Sequence, residues 1–224
     1  MPRYYIVNNS VLILGDDNEA QQLVYGILLD KKFNPKTTVI IQGKRHRVSE
    51  YNIDFLKKFN AIILLKDSVD QNSFQLLGQY RDSGGKILPD ILNNKNAIDL
   101  SEIESLFGSF KGSLINVDSK TISQNELELM PKNSGFLVLS ERFSGFEDWS
   151  AELGNKQLDI LKADGIISAV YVDSAGPVRF KFLPKSFIRG LIISLSALLI
   201  IFIYGLFLLL KRLKVLRKAK LGVH

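Results

Sequence analysis

The chain has no cysteine among its 224 residues, which excludes disulfides, thiolate metal sites and a cysteine nucleophile. Histidine is almost as scarce. His46 and His224 are the only two, so an imidazole zinc site or a Ser-His-Asp relay would have to be built on His46. No metal or other cofactor is expected. An excess of charge is missing as well, outside one segment. The formal net charge is +6, but six of the 29 Lys and Arg lie in residues 211–224, which contain no acid; the other 23 balance the 23 acidic residues. A nucleic-acid partner needs a basic face that neutralises several phosphates, and a balanced chain does not supply one. The one small basic cluster, Lys44-Arg45-His46-Arg47, reads as a solvated loop rather than an anion contact. The start of the chain, MPRYYIVNNSVLILGDD, lacks the basic region and uninterrupted apolar stretch of a signal peptide.

What is present in full is a long hydrophobic run. The twenty residues Leu191 to Leu210 carry no charge, and as a helix they would span roughly 30 Å, the thickness of a bilayer's hydrocarbon core. Lys211, Arg212, Lys214, Arg217, Lys218 and Lys220 follow at once, against Lys181, Lys185 and Arg189 on the other flank. The positive-inside rule then places the C-terminus in the cytoplasm and the N-terminal domains outside a cell membrane, with a single pass. Without an export signal, two arrangements fit: a tail anchor, or the last piece of a longer polytopic protein. The orientation favours the second. Ser194, Ser196 and Gly205 within the span could support helix packing against other transmembrane helices, although no GxxxG is present.

The remainder predicts an α/β part followed by an all-β part. Strands are expected at Ser10 to Gly15, Thr37 to Gln42, Asn60 to Lys66 and from Lys86. Helices are expected over Glu19 to Lys31 (capped by Asp17 or Asn18), Tyr51 to Phe59 and Val69 to Asp82, the last closed by Ser83-Gly84-Gly85. This alternation argues for a small parallel, flavodoxin-like α/β domain. A short helix over Ser101 to Phe107, capped by Ser101 with Glu104 three residues on, is expected to link it to the next part. From Leu114, strand-like runs recur between turn signals, which predicts an antiparallel β-sandwich. The expected domains are therefore 1–112 (α/β with linker helix), 113–186 (β-sandwich), 187–210 (transmembrane helix) and 211–224 (basic cytoplasmic tail).

Few groups suggest chemistry. Gly15-Asp16-Asp17-Asn18 sits where a phosphate loop would, but one glycine with two aspartates repels an anion, and a capped turn is the favoured reading. Asp16, Asp17 and Glu19 suit a hard cation by type but not by spacing. Glu141, Glu147 and Asp148 beside Trp149 pair carboxylates with an aromatic, as sugar-cleaving sites do and as any loop near a buried Trp also does. Phe143, Phe146 and Trp149 are the candidate aromatic contact for a glycan or for the membrane headgroup layer, with core packing expected for at least one. Asn8-Asn9-Ser10 is a glycosylation sequon if the head is exported.

The stretch from Gly135 to Leu195 carries a recognisable series of turns: Ser140-Glu141, Gly145 with Trp149, Gly154, Ala163-Asp164-Gly165, Gly176 and Pro184-Lys185-Ser186-Phe187. It resembles the C-terminal end of YfhO-like polytopic membrane proteins, relatives of the GT-C glycosyltransferases. Two departures stand out: Phe146 to Asp148 separate Gly145 from Trp149, and Leu153 replaces a hairpin aspartate. The resemblance implies a non-catalytic extracytoplasmic module and last span of a protein that transfers sugars to cell-surface polymers or lipids. It also implies the lipid bilayer, other transmembrane helices and a glycan or lipid-linked sugar as partners. A stand-alone surface protein that binds a ligand or partner is the alternative. AIILLKDSVDQNSFQLLGQYRDSGGKIL is similar to a segment of class I glutamine-amidotransferase-like and ThuA-like domains, whose cysteine nucleophile this chain lacks.

Overall fold

The structure, a computed structural model, describes residues 3–30, 37–93, 97–140 and 148–221, without the side chains of 209 and 212–221. In the first half, β1 (Tyr4–Val7), β2 (Asn9–Leu14), α1 (Asp17–Leu29), β3 (Thr38–Gln42), α2 (Ile53–Leu56), β4 (Ala61–Leu64), α3 (Ser73–Asp82), β5 (Lys86–Leu88) and α4 (Leu100–Ser109) follow in order. The second half runs β6 (Ile115–Asn116), β7 (Asp118–Ser123), β8 (Glu126–Met130), β9 (Gly135–Leu139) and β10 (Trp149–Leu153). It continues through β11 (Lys156–Leu158), β12 (Leu161–Ala163), β13 (Ile167–Val172) and β14 (Val178–Phe182) to α5 (Lys185–Leu221).

These strands form two sheets in a mixed α/β architecture. One has nine strands in the order β5-β4-β2-β3-β12-β13-β9-β1-β6, and the other has five in the order β11-β10-β14-β8-β7. Pairing is parallel among β2, β3, β4 and β5 and antiparallel elsewhere. The parallel strands are apolar on both faces because both are covered. Leu12, Ile41 and Ile62 point into a cluster with Leu56, Phe59, Leu77 and Tyr80 from the α2–α3 side. Val11, Ile13, Ile40 and Ile63 meet Ala20, Val24 and Ile27 of α1 and Ile103, Leu106 and Phe107 of α4.

The expected boundary between residues 112 and 113 does not divide the molecule. Met1–Phe182 form one compact unit. The strands after residue 113 are shared between the sheets: β6, β9, β12 and β13 extend the sheet that the α/β strands begin, while β7, β8, β10, β11 and β14 form the other. β1 explains why. Tyr5 and Val7 enter the cluster that contains the parallel strands, and Tyr4 and Ile6 enter a second cluster with Leu129, Val178 and Phe180 of the five-stranded sheet. Period-two alternation thus commits one N-terminal strand to two cores.

Several ends also differ from expectation. Helix α1 is capped by Asp16, whose carboxylate accepts from the N–H groups of Asn18 and Glu19. The Asp99 side chain caps α4 by accepting from Ser101 N at 2.9 Å, so the cap lies two residues earlier than predicted. The helix expected over Tyr51 to Phe59 is reduced to Ile53–Leu56, started by the Asn52 side chain, because the chain turns early to bring Phe59 inside and Asn60 onto Ser10. At the end of α3, Gly84 takes the positive φ of 94° expected there.

The second unit, Leu183–His224, contains α5. Within it, Lys185–Leu208 is long and apolar enough to cross a membrane, its most apolar 18 residues having a mean hydropathy of 2.7, as a single-pass membrane protein requires.

Candidate functional site

In open parallel sheets, ligands bind in the crevice beyond the carboxyl ends of the strands, where loops diverge. This chain has such a crevice past the ends of β2, β3 and β4, with a volume of about 610 Å³. The first wall follows β2. Gly15 has φ 139°, and a Cβ there would stand 2.5 Å from Leu65 Cβ, so only glycine lets the two loops approach this closely. Asp16 and Glu19 then face the cavity.

The second wall is the loop after β3, which carries Lys44, Arg45, His46 and Arg47. Its shape is held by Tyr51, whose hydroxyl donates to Arg45 O at 3.0 Å and accepts from Arg45 N at 2.7 Å. Burial, partly offset by these bonds, pushes the Tyr51 hydroxyl above its ordinary pKa of 10.0. Glu50 closes the loop by accepting from Arg47 N at 2.9 Å.

The third wall follows β4 and presents Lys66, Asp67 and Asp70. Asp70 ties two walls together. It accepts from Ser49 Oγ at 2.6 Å and from Ser73 N and Oγ at 3.0 and 2.8 Å. The Ser49 hydroxyl, and after it that of Ser73, hold this carboxyl below its ordinary value. Val48 N donates to Ser68 O at 2.9 Å and completes the seam.

The arrangement is a polar cleft lined by both signs of charge. It is a poor anion site, because the Asp16 carboxylate already occupies the α1 amides that would receive a phosphate. His46 lines the same cleft as Ser49 and Asp70, but Ser49 donates directly to Asp70, and among the described residues no hydrogen bond joins His46 to either. A nucleophile-base-acid relay is therefore not assembled. Among the described residues there is no group of His, Asp and Glu that could hold a metal ion.

The residues singled out from sequence are distributed as follows. The Lys44–Arg47 cluster, Asp16 and Glu19, far apart in sequence, converge on this cleft, whereas Asp17 receives the Gln42 side-chain amide at 3.2 Å. Trp149 is half-buried on β10, its ring 5.1 Å from that of Phe182 at a tilt of 39°, and packed against the five-stranded sheet's apolar cluster. Phe143 and Phe146 lie outside the described residues, as do Glu141 and Glu147. Of the topology charges, Lys211 is an exposed residue of α5, and Arg212, Lys214, Arg217, Lys218 and Lys220 fall on the backbone of the same helix. Ser49, Lys66, Asp67 and Asp70 were not anticipated. The placement of Lys66 to Asp70 just after a fully apolar strand was the available signal.

No family model, curated protein or solved structure matches this chain. The resemblances to YfhO-like and amidotransferase-like proteins stand on the residues quoted for them.

Proposed function

We propose that this chain is a membrane-anchored binding module without chemistry of its own, which holds a partner segment of mixed charge in the crevice beyond β2, β3 and β4. The observation that carries the reading is the crevice itself: acidic and basic side chains on three loops, locked by Asp70 and Tyr51, with no relay and a helix N-terminus closed to anions. We read β2 to β5 with their helices as the flavodoxin-like unit and the two facing sheets as a sandwich. The setting we infer is the extracytoplasmic side of a cell membrane, with the C-terminus cytoplasmic, at the end of a YfhO-like protein involved in glycosyl transfer. Its support is the series of turns from Ser140 to Phe187 and the cations after the span.

A photo-crosslinking residue at His46, in the full chain in its native membrane, is expected to give one discrete adduct that disappears with Lys66→Glu. The same residue at Gln157, on β11, is expected to give none. Equal adducts at both positions would overturn the crevice assignment. The purified full chain should hydrolyse neither glutamine nor glycosides, and turnover of either would refute the non-catalytic reading. Protease added to intact cells should degrade the head, and full protection would reverse the orientation.

A further inference from the structure

Strand β7 ends the five-stranded sheet, and among the described strands none pairs with its outer edge. All six of its residues are exposed. Such an edge offers unpaired backbone N–H and C=O groups to another strand, and proteins usually blunt it with lysine or a bulge. β7 has both devices: Lys120, and an irregularity between Thr121 and Ser123. It also has something that blunting does not require. Asp118 stands two residues before Lys120, on the same face, with Ser119 between them.

We propose that β7 pairs antiparallel with β7 of a second copy, with Ser119 on the two-fold axis, so that Asp118 of each copy lies opposite Lys120 of the other. The register follows from charge and pleat. A shift that makes the sum of paired residue numbers odd turns one sheet over, setting the polar face of one copy beside the inner face of the other. Among the remaining registers, centring on Asp118 or on Lys120 places like charges directly opposite, which is destabilising. Centring on Thr121 places Lys120 against the irregular Ile122. Ser119 alone makes the Asp-Ser-Lys triplet complementary to itself.

The rest of the sheet fits this pairing. Across its outer face Lys120, Glu128, Arg179 and Glu152 stand in one cross-strand row with alternating sign. Arg179 Nε binds Glu128 Oε2 at 2.9 Å and Lys181 Nζ binds Glu152 Oε1 at 3.0 Å. Asp118 of the second copy continues the alternation beyond Lys120. Among the described residues of one chain, Asp118 has an exposed pair with Lys132 at 3.5 Å, which is weak enough to exchange. The contact is short, so its strength comes from confinement of both copies to one membrane, where tethering raises the effective concentration.

The absence of cysteine makes a clean test available. Ser119→Cys in the full chain, reconstituted in phosphatidylcholine vesicles and mildly oxidised, should give a disulfide-linked dimer. Thr121→Cys, on the same face but off the axis, should give about tenfold less. Adding Asp118→Lys or Lys120→Asp to Ser119→Cys should each lower the dimer about tenfold, and co-reconstituting these two charge variants should restore it as a heterodimer. Crosslinking at Ser119→Cys that does not exceed Thr121→Cys would overturn the proposal. So would charge variants that crosslink like their parent, or a mixture that fails to recover.

Discussion

The carboxylate of Asp164 accepts a hydrogen bond of 2.9 Å from the backbone N–H of Ile40, 124 residues away in sequence. Asp164 N donates in return to Ile40 O at 2.8 Å. The two bonds extend a short pairing between β12 and β3, only Lys162↔Gln42 and Ala163↔Ile41, at the point where the parallel strands meet the antiparallel ones. Asp164 holds a positive φ of 44° in the turn that follows β12, a conformation that Asp tolerates better than most residues.

Burial pushes the Asp164 carboxyl from 3.8 up to about 7, with the Ile40 N–H pulling it partly back. The folded chain therefore holds this proton more tightly than the unfolded chain. The contribution of the protonated group to stability is full below about pH 4, falls as pH rises through about 7, and is level above that. Unfolding free energies from urea titrations at pH 4.5, 6 and 8 are expected to decline in that order, by an amount on the order of a few kcal/mol. Asp164→Asn keeps an oxygen for Ile40 N–H and should flatten the profile. Asp164→Ala also abolishes the titration and leaves that N–H unpaired, so its cost relative to wild type should be greatest at pH 4.5 and shrink as pH rises toward 8.

Gly85 sets the position of the most enclosed tyrosine. A Cβ at this residue would lie 2.2 Å from Tyr80 Cζ, within the ring. Tyr80 is fully buried and its hydroxyl donates to Phe59 O at 3.0 Å, so the ring has nowhere to retreat. Gly85→Ala is expected to lower stability by about 1–3 kcal/mol through overpacking. Tyr80→Phe should cost about 1 kcal/mol, the value of a net hydrogen bond. Tyr80→Phe leaves the ring in place, so the double variant should remain close to the sum of the two in thermal denaturation.

The parallel strands were legible because each is a short apolar run between helix periods, and the start of β5 at Lys86 was read to the residue. The single sheet was not. β1 is four apolar residues, Tyr4 to Val7, whose partners β9 and β6 lie more than a hundred residues away, and local patterning does not report such pairing. The Ala163-Asp164-Gly165 turn was visible as a turn, but its burial against β3 depends on sheet order. The crevice was half legible. Its charged residues were noted in two separate segments, and their convergence follows from parallel strands ending side by side. Ser49 gave no signal, and its bond to Asp70 was not readable, since a serine and an aspartate 21 positions apart make no motif.

Asp70 is expected to act as a latch between the loop after β3 and the start of α3. Asp70→Ala removes the acceptor of Ser49 Oγ, Ser73 N and Ser73 Oγ together. Hydrogen exchange should accelerate at Val48 to Tyr51 while the amides of β2 and β4 keep their protection. Because serine donors hold this carboxyl below its ordinary 3.8, the wild-type latch should persist at pH 5 and loosen only as pH falls below 3.8. Uniform acceleration across the sheet would show a global destabilisation instead.

The final helix provides a test that does not depend on any ligand. Leu191 to Leu210 carry no charge, and Ile200 and Ile201 occupy the middle of that run. A lysine at the centre of a spanning helix costs about 2.5–3.5 kcal/mol for insertion. One such residue can be tolerated by a run of this length, but two adjacent ones exceed what its remaining leucines and isoleucines recover. Ile200→Lys with Ile201→Lys should therefore move the chain from the carbonate-resistant pellet to the supernatant. Ile200→Leu with Ile201→Leu should leave it in the pellet. Retention of the lysine variant in the pellet would mean that Leu191–Leu210 is not what holds the protein to the membrane.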